Sequence, residues 1–356
     1  MKDFSKILSD WYLKNGRELP WRATQNPYFI WLSEIILQQT RVEQGLPYYE
    51  RFIENFPKIQ DLAKASQDKV LLLWQGLGYY SRARNLHSAA KQIVAEYDGV
   101  FPNSYQAIHT LKGVGDYTSA AIASFAFGLP YSVVDGNVYR FLSRCFGITT
   151  PIDSSEGKKE FAQLAEKLLD KRNPGRHNQG MMEMGAIICK PTHPNCIECP
   201  FAGNCVAYNN ELIPHLPVKA KKLKVRTRHF NYLIIHDGTS VVIAPRTAKD
   251  IWQGLFEFPL IETDYNIEPA ELLFDDRFLS ITNGKGIYAS SSEQIKHLLS
   301  HQKLLARFYW ISVKNFSLYK KYQVVRFEDL VHFGMPQLIV KYLKDHRIKS
   351  AKNLVK

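Results

Sequence analysis

Cys189-Lys-Pro-Thr-His-Pro-Asn-Cys196-Ile-Glu-Cys199-Pro-Phe-Ala-Gly-Asn-Cys205 holds four of the chain's five cysteines, separated by six, two and five residues. With Pro191, Pro194 and Pro200 interspersed, this stretch can be neither a regular helix nor a strand. It must close on itself, either through disulfides or around a metal. The segment Met1–Pro20 carries charges and no apolar core of a secretory signal. Nowhere is there the run of roughly 18 apolar residues that a membrane helix needs, so no membrane partner is expected. A cytoplasmic, reducing compartment is therefore the expectation, and there a thiol cluster points to metal. Four thiolates suit both zinc and an iron–sulfur cluster, and the spacing alone leaves that choice open. Cys145, remote in sequence, is expected to be a small buried hydrophobe.

The texture of the chain changes around this loop. With 356 residues, 45% of them hydrophobic, it is long enough for two cores. Before residue 188 apolar side chains recur at three- and four-residue intervals, as in Lys69–Trp74 and Ala83–Tyr97, with breaks at Pro57, Gly76, Gly99 and Pro102. After the loop, Leu212–Arg228 is rich in proline and lysine and reads as an exposed basic linker. Phe230–Ala244 reads as a hairpin around Asp237-Gly238, Ala306–Val313 as a strand and Pro336–Lys344 as a closing helix. The expected organisation is a helical domain over residues 1–211 that includes the cysteine loop, a linker over 212–228, and an α+β domain over 229–356. Lys and Arg total 46 against 34 Asp and Glu, a formal charge of +12, which favours a partner rich in phosphates.

Three further stretches carry chemistry. Leu111-Lys112-Gly113-Val114-Gly115-Asp116-Tyr117 joins two helical segments by a glycine turn. Its backbone N–H groups can hold a phosphate, and a plain glycine-capped corner is the competing reading. Glu34 lies among Ile30, Trp31 and Leu37 on one helical face. A carboxyl desolvated there gains a raised pKa and can give up a proton near neutrality, whereas a carboxylate at the rim would stay solvated. Asp135, in Ser132-Val-Val-Asp-Gly-Asn-Val-Tyr-Arg140, stands where an apolar segment meets a helix. It is expected to be the N-cap, kept ionised by the N–H groups it caps. One neutral and one anionic carboxyl is the pairing that cleavage of a glycosidic bond uses.

Taken together, these motifs resemble the helix-hairpin-helix DNA glycosylase superfamily, in particular its iron–sulfur branch with the C-x6-C-x2-C-x5-C spacing. The resemblance implies a [4Fe–4S] cluster on Cys189, Cys196, Cys199 and Cys205, stiffening a basic loop. Endonuclease III-like members carry a lysine nucleophile shortly after the second hairpin glycine. Here Tyr117-Thr118-Ser119 fills that place. The adenine glycosylases of the MutY family lack the lysine, and Leu19-Pro-Trp21-Arg22, Trp31-Leu-Ser-Glu34, Leu37-Gln-Gln39-Thr-Arg41, Gly76-Leu-Gly-Tyr79-Tyr-Ser-Arg82 and Asp135-Gly-Asn137 are similar to theirs. Trp252–Pro259 resembles the C-terminal Nudix-like domain of that family, so the likeness spans nearly the whole chain.

The resemblance implies a multidomain protein: an all-α helix-hairpin-helix domain with its cluster loop, followed by an α+β Nudix-like domain. The implied partner is double-stranded DNA with adenine opposite 8-oxoguanine or guanine, met by a monomer. Glu34 is expected to protonate adenine N7 and Asp135 to stabilise the sugar cation, with Tyr117 and Asn137 orienting them. Lys112, Gly113 and Gly115 would hold a phosphate, Glu183 would accept from the adenine amino group, and Gln39 and Tyr79 would fill or stack into the gap. Trp21 and Arg22 would support the 8-oxoguanine pocket, which Ser300 and His301 would contact. This sequence departs from its relatives in having Asp116 beside the phosphate site, and Leu299 where they carry the phenylalanine of a Phe-Ser-His loop. It also lacks the G-x5-E-x7-R-E signature, so no pyrophosphatase activity is expected. An oxidised-pyrimidine glycosylase and a non-catalytic DNA-binding module with a zinc knuckle are the alternatives.

Overall fold

A computed structural model describes residues 2–220, 225–284 and 286–346. Its internal contacts divide the chain into two compact units: Met1–Lys64 with Asn85–Lys222, and Ala65–Arg84 with Leu223–Lys356. No helix among the described residues is long and apolar enough to cross a membrane.

The first unit is helical. The helix Pro27–Leu37 starts where proline presets φ and the Asn26 side chain accepts from Tyr28 N. Its residues are apolar nearly all round, so Tyr28 and Ile30 through Ile36 are buried. The helix Gly136–Phe146 is amphipathic instead. Asp135 caps its start, Gly147 in the left-handed region ends it, and Val138, Phe141, Leu142 and Cys145 face inward. That face meets Leu8, Trp11, Phe161, Met181 and Phe201 in one core. Each such buried side chain contributes roughly 1.5–3 kcal/mol. Phe201 belongs to the cysteine loop and packs edge-on against Phe141 at 5.4 Å, so apolar contact fixes the loop as well.

In the second unit eight strands form a mixed sheet: β1 (Arg226–His236), β2 (Ser240–Pro245), β3 (Phe256–Glu257), β4 (Leu260–Thr263), β5 (Ile287–Ser291), β6 (Ile295–Leu298), β7 (Gln302–Ser312) and β8 (Gln323–Arg326). The spine runs β3-β2-β1-β7-β5, with β4 on β1, β6 on β7 and β8 on β2. Among the described residues only β1 and β7 run parallel. The expected hairpin is β1–β2, with Gly238 at φ 103° in its turn. The expected strand and closing helix appear as β7 and Gln337–Asp345. Alternation along β7 sends Tyr309 and Ile311 into one apolar cluster. Phe308, from the opposite parity, stacks on Tyr342 of the closing helix at 3.8 Å.

Two features differ from expectation. The described part of 212–228 is not simply an exposed linker, and residues 221–224 of that expectation lie outside the described residues. Leu216 is buried, its carbonyl accepts from Arg144 Nε at 3.0 Å, and β1 already begins at Arg226. A proline-rich composition reports the lack of regular structure, not the lack of partners. The second is that Ala65–Arg84, expected within the first domain, clusters with the strands. Gln75 Oε1 accepts from Met335 N at 2.8 Å, and Arg84 Nη1 donates to Gln253 O at 2.7 Å.

Candidate active site and cysteine loop

Two carboxyl groups of the first unit sit in contrasting surroundings. Glu34 is 7% exposed, and the Tyr117 hydroxyl donates to its Oε2 at 2.9 Å. Burial pushes its pKa up to about 7, against the lowering effects of the Tyr117 bond and the Arg22 charge. Asp135 Oδ1 accepts from Asn137 N at 2.9 Å and Val138 N at 2.8 Å. Its Oδ2 accepts from Asn137 Nδ2 at 2.7 Å. Three donors favour the anion, yet burial raises the Asp135 pKa above its ordinary value. The expectation that capping governs this charge is corrected to a contest, in which the cap opposes desolvation. Each carboxylate also raises the pKa of Tyr117, which burial has already lifted well above 10, so the phenol stays a donor.

Glu183, expected to accept from the adenine amino group, is not the surface glutamate of the competing reading. It is fully buried, and its oxygens are taken by Arg17 N at 3.1 Å, Arg17 Nε at 2.6 Å, Arg17 Nη2 at 3.0 Å and Arg22 Nη2 at 2.6 Å. Burial works to raise its pKa, but the two guanidinium groups overcome it and hold the carboxyl at about 2. The carboxylate ties Arg17 and Arg22 together. Arg22, expected to support the opposite-base pocket, also acts on Glu34 through its charge. Trp21 is buried beside Tyr49, edge-on at 5.0 Å.

The glycine turn is built as expected and finds its own partners. Gly113 is at φ 76°, and an added Cβ would meet Asn85 Cβ at 2.6 Å. Lys112 N is engaged, donating to Gln92 Oε1 at 3.1 Å. Gly115 begins the helix Asp116–Phe127 with no side-chain cap, which leaves first-turn N–H groups for an anion. The Asp116 Oδ1 lies 2.9 Å from His109 Nε2. Gln39 is exposed with φ 55°, a costly conformation for a side chain of that size.

The four clustered cysteines are unpaired and line one pocket with Phe141 and Ile188. Burial raises the pKa values of Cys189, Cys196 and Cys199, and neighbouring thiolates raise them further. Among the described residues no three His, Cys, Asp or Glu donors close on a single ion. Four cysteines around one pocket suit either tetrahedral zinc or an iron–sulfur cluster. Arg144 braces the loop: Nη1 donates to Lys190 O at 2.7 Å and lies 3.6 Å from Cys189 Sγ, while Nη2 donates to Pro191 O at 3.1 Å.

One turn earlier, Arg140 joins loop and carboxylate. Its Nε donates to Cys189 O at 2.7 Å, and its Nη2 donates to Gly185 O at 2.7 Å and Asn137 Oδ1 at 2.9 Å. Gly185 lies in a π-helical turn, Met184–Ile188, and a Cβ there would meet Asn137 O at 2.5 Å. Sequence reading passed over Arg17, Arg140, Arg144 and Gly185. Two arginines four apart beside Asp135 were a usable signal for the middle pair.

In the second unit, Tyr79 is exposed at φ 46°, and its hydroxyl is hydrogen-bonded to the Ser300 hydroxyl. Arg82 lies over the Tyr79 ring at 5.7 Å and over the Trp74 ring at 5.1 Å. Ser300 and His301 occupy the tip between β6 and β7, closed by Leu299 N donating to Gln302 O at 2.8 Å. The structure thus brings Tyr79 and Ser300 together.

Comparisons with known proteins agree on both units. The family described as HhH-GPD superfamily base excision DNA repair protein matches residues 32–171, and the NUDIX domain matches residues 231–345. The adenine DNA glycosylase of Buchnera aphidicola (subspecies Acyrthosiphon pisum, strain APS) is 34% identical over 346 residues, 97% of this chain and 97% of that protein. That of Homo sapiens is 41% identical over 213 residues, 57% of this chain and 39% of that one. Among solved structures, a thermostable thymine-DNA glycosylase superposes with a TM-score of 0.55 at 30% identity, covering 59% of this chain and 96% of its own. An endonuclease III–DNA complex superposes with a TM-score of 0.51 at 22% identity and speaks for the fold alone.

Proposed function

The chain belongs to the adenine DNA glycosylase family, and from that premise we propose that it removes adenine paired with 8-oxoguanine or guanine in double-stranded DNA, as a monomer of the cytoplasm. It is an enzyme of base excision repair that hydrolyses an N-glycosidic bond. The observation that carries the mechanism is the buried Glu34 carboxyl, with a pKa of about 7 and a hydrogen bond from Tyr117.

Adenine leaves the stack, at a cost that a mispair lowers. Glu34 gives its proton to N7, the C1′–N9 bond breaks, and the bonding pair leaves with the now neutral base. The sugar is left as an oxocarbenium ion, stabilised by Asp135 and completed by water, giving free adenine and an abasic site. Tyr117 holds Glu34, and Asn137 holds Asp135. No lysine follows the hairpin glycines, so strand scission through an imine is not part of the reaction. First-turn N–H groups at Gly115, with Lys112 and Gly113 in the preceding turn, support a phosphate contact, and Gln39 occupies the gap left by the adenine. Tyr79, Ser300 and His301 read the opposite base.

Cys189, Cys196, Cys199 and Cys205 would hold a [4Fe–4S] cluster, whose contribution when bound is electrostatic and structural stiffening of the loop. Arg140 and Arg144 then fix the loop to the helix that Asp135 caps.

The test is a duplex with one adenine opposite 8-oxoguanine, each time point split with and without hot alkali. Breakage only after alkali supports hydrolysis without lyase chemistry. Breakage without alkali, together with borohydride trapping, would establish the bifunctional pyrimidine-type alternative, and a colourless zinc protein without cleavage would establish a binding module.

A further inference from the structure

The tip that carries Ser300 and His301 is two residues long, lies exposed, and has no aromatic anchor, because Leu299 precedes it. Something else must hold it against Tyr79. Behind it, the Arg228 guanidinium is only 7% exposed and is engaged on every side. Its Nε donates to Glu262 Oε1 at 2.6 Å, its Nη2 to Glu262 Oε2 at 2.6 Å and to Asp250 Oδ2 at 2.8 Å. Its Nη1 donates to Gln302 Oε1 at 3.1 Å. Gln302 is the residue whose carbonyl closes the tip through Leu299 N, and Arg226 N, next to the same strand end, donates to His301 O at 3.1 Å.

Asp250 sits in the loop Arg246–Gly254. There Arg246 donates from Nε to Asp250 Oδ1 at 3.0 Å and to Ile251 O at 2.9 Å. Trp252 is held at φ 63°, which a bulky residue adopts only when its surroundings over-determine it. The next residue, Gln253, accepts from Arg84 Nη1 at 2.7 Å, and Arg84 belongs to the same contact segment as Tyr79. One buried cation therefore grips the base of the tip and the loop that engages the Tyr79 segment.

We propose that Arg228 and Gln302 are positioning residues for discrimination of the base opposite adenine: they set the Ser300–His301 tip relative to Tyr79 without touching DNA. This rests on the assignment of Tyr79, Ser300 and His301 as the opposite-base readers. An ion network that merely stabilised the sheet would need neither the neutral Gln302 acceptor nor the strained loop. Leaving Arg228 Nη1 without its acceptor frees the tip while Glu262 and Asp250 still balance the charge.

The experiment compares Gln302→Leu, Gln302→Glu and Ser300→Ala with the parent, reading single-turnover adenine excision opposite 8-oxoguanine and opposite guanine, and the Tm of each protein. Gln302→Leu is expected to lower the 8-oxoguanine-to-guanine rate ratio about tenfold, which is about 1.4 kcal/mol, while excision opposite guanine and Tm stay near the parent's. Gln302→Glu, which keeps the acceptor, restores the ratio to within about twofold. If Ser300→Ala lowers the ratio and Gln302→Leu does not, or if Gln302→Leu slows both substrates equally, the positioning role is overturned. If Ser300→Ala leaves the ratio unchanged, the opposite-base assignment fails and the brace falls with it.

Discussion

In the proposed reaction Glu34 acts as its protonated form, and burial is what keeps it protonated, so catalysis is tied to instability. Its pKa near 7 lies above the ordinary 4.5, so the folded state binds an extra proton between those pH values. Stability from this group is present below about pH 4.5 and is lost as pH rises through 7. The excision rate should follow the protonated fraction, falling about tenfold per pH unit well above 7 in single-turnover assays. Glu34→Gln should abolish excision and leave duplex affinity within a few fold by titration. It should also raise stability at pH 8 on the order of 2 kcal/mol, with the gain vanishing near pH 4.5. Equal loss of binding and excision would make Glu34 a structural residue. His177 works from the opposite side. It is 4% exposed, neither ring nitrogen has a hydrogen-bond partner, and burial lowers its pKa to about 4 despite the Asp170 charge. Its unfolded form takes a proton first, so stability falls as pH drops from about 6.5 to 4, by up to about 3 kcal/mol. In thermal melts across that range, His177→Phe should flatten this acid limb, and an unchanged slope would clear His177 of the role. The neighbours of Glu34 within one helix were legible in the sequence because helical spacing is local. The Arg17–Glu183–Arg22 cluster was not, since its members lie 166 and 161 residues apart and no periodicity links them.

At the scale of elements, one helix does several tasks. Gly136–Phe146 presents Asp135 at its N-terminus, core residues on one face, and Arg140 and Arg144 toward the cysteine loop. Its boundaries could be read from an N-cap aspartate and a terminal glycine, and the amphipathic pattern gave the buried face. What it touches was not readable, because the π-helical turn at Met184–Ile188 follows a regular helical pattern with nothing in sequence to mark the extra residue. That turn predicts a sensitive site. Gly185→Ala would place a Cβ 2.5 Å from Asn137 O, and the strain would pass to the Asn137–Asp135 hydrogen bonds. Excision should fall at least tenfold while the protein's visible spectrum and DNA affinity change little; an alanine variant with the parent's rate would show that the turn yields.

For the whole molecule, the cysteine loop is packed into the core of the first unit through Phe201. Removing one thiolate leaves three, so Cys199→Ala should lose visible absorption and either fold poorly or lose DNA affinity. A soluble, fully active Cys199→Ala protein would overturn the cluster assignment. Two units were foreseeable from the switch between helical and alternating periodicity, but their contact boundary was not, because amphipathic pattern says that a face is covered and not by what. A segment of about twenty residues from early in the chain, Ala65–Arg84, belongs by its contacts with the C-terminal strands. The two halves are therefore not interchangeable modules on a string. A protease cutting after residue 220 would separate Gln75, Tyr79 and Arg84 from Met335, Ser300 and Gln253. Any recombination that swaps the C-terminal half without a matching stretch far upstream would break these pairings.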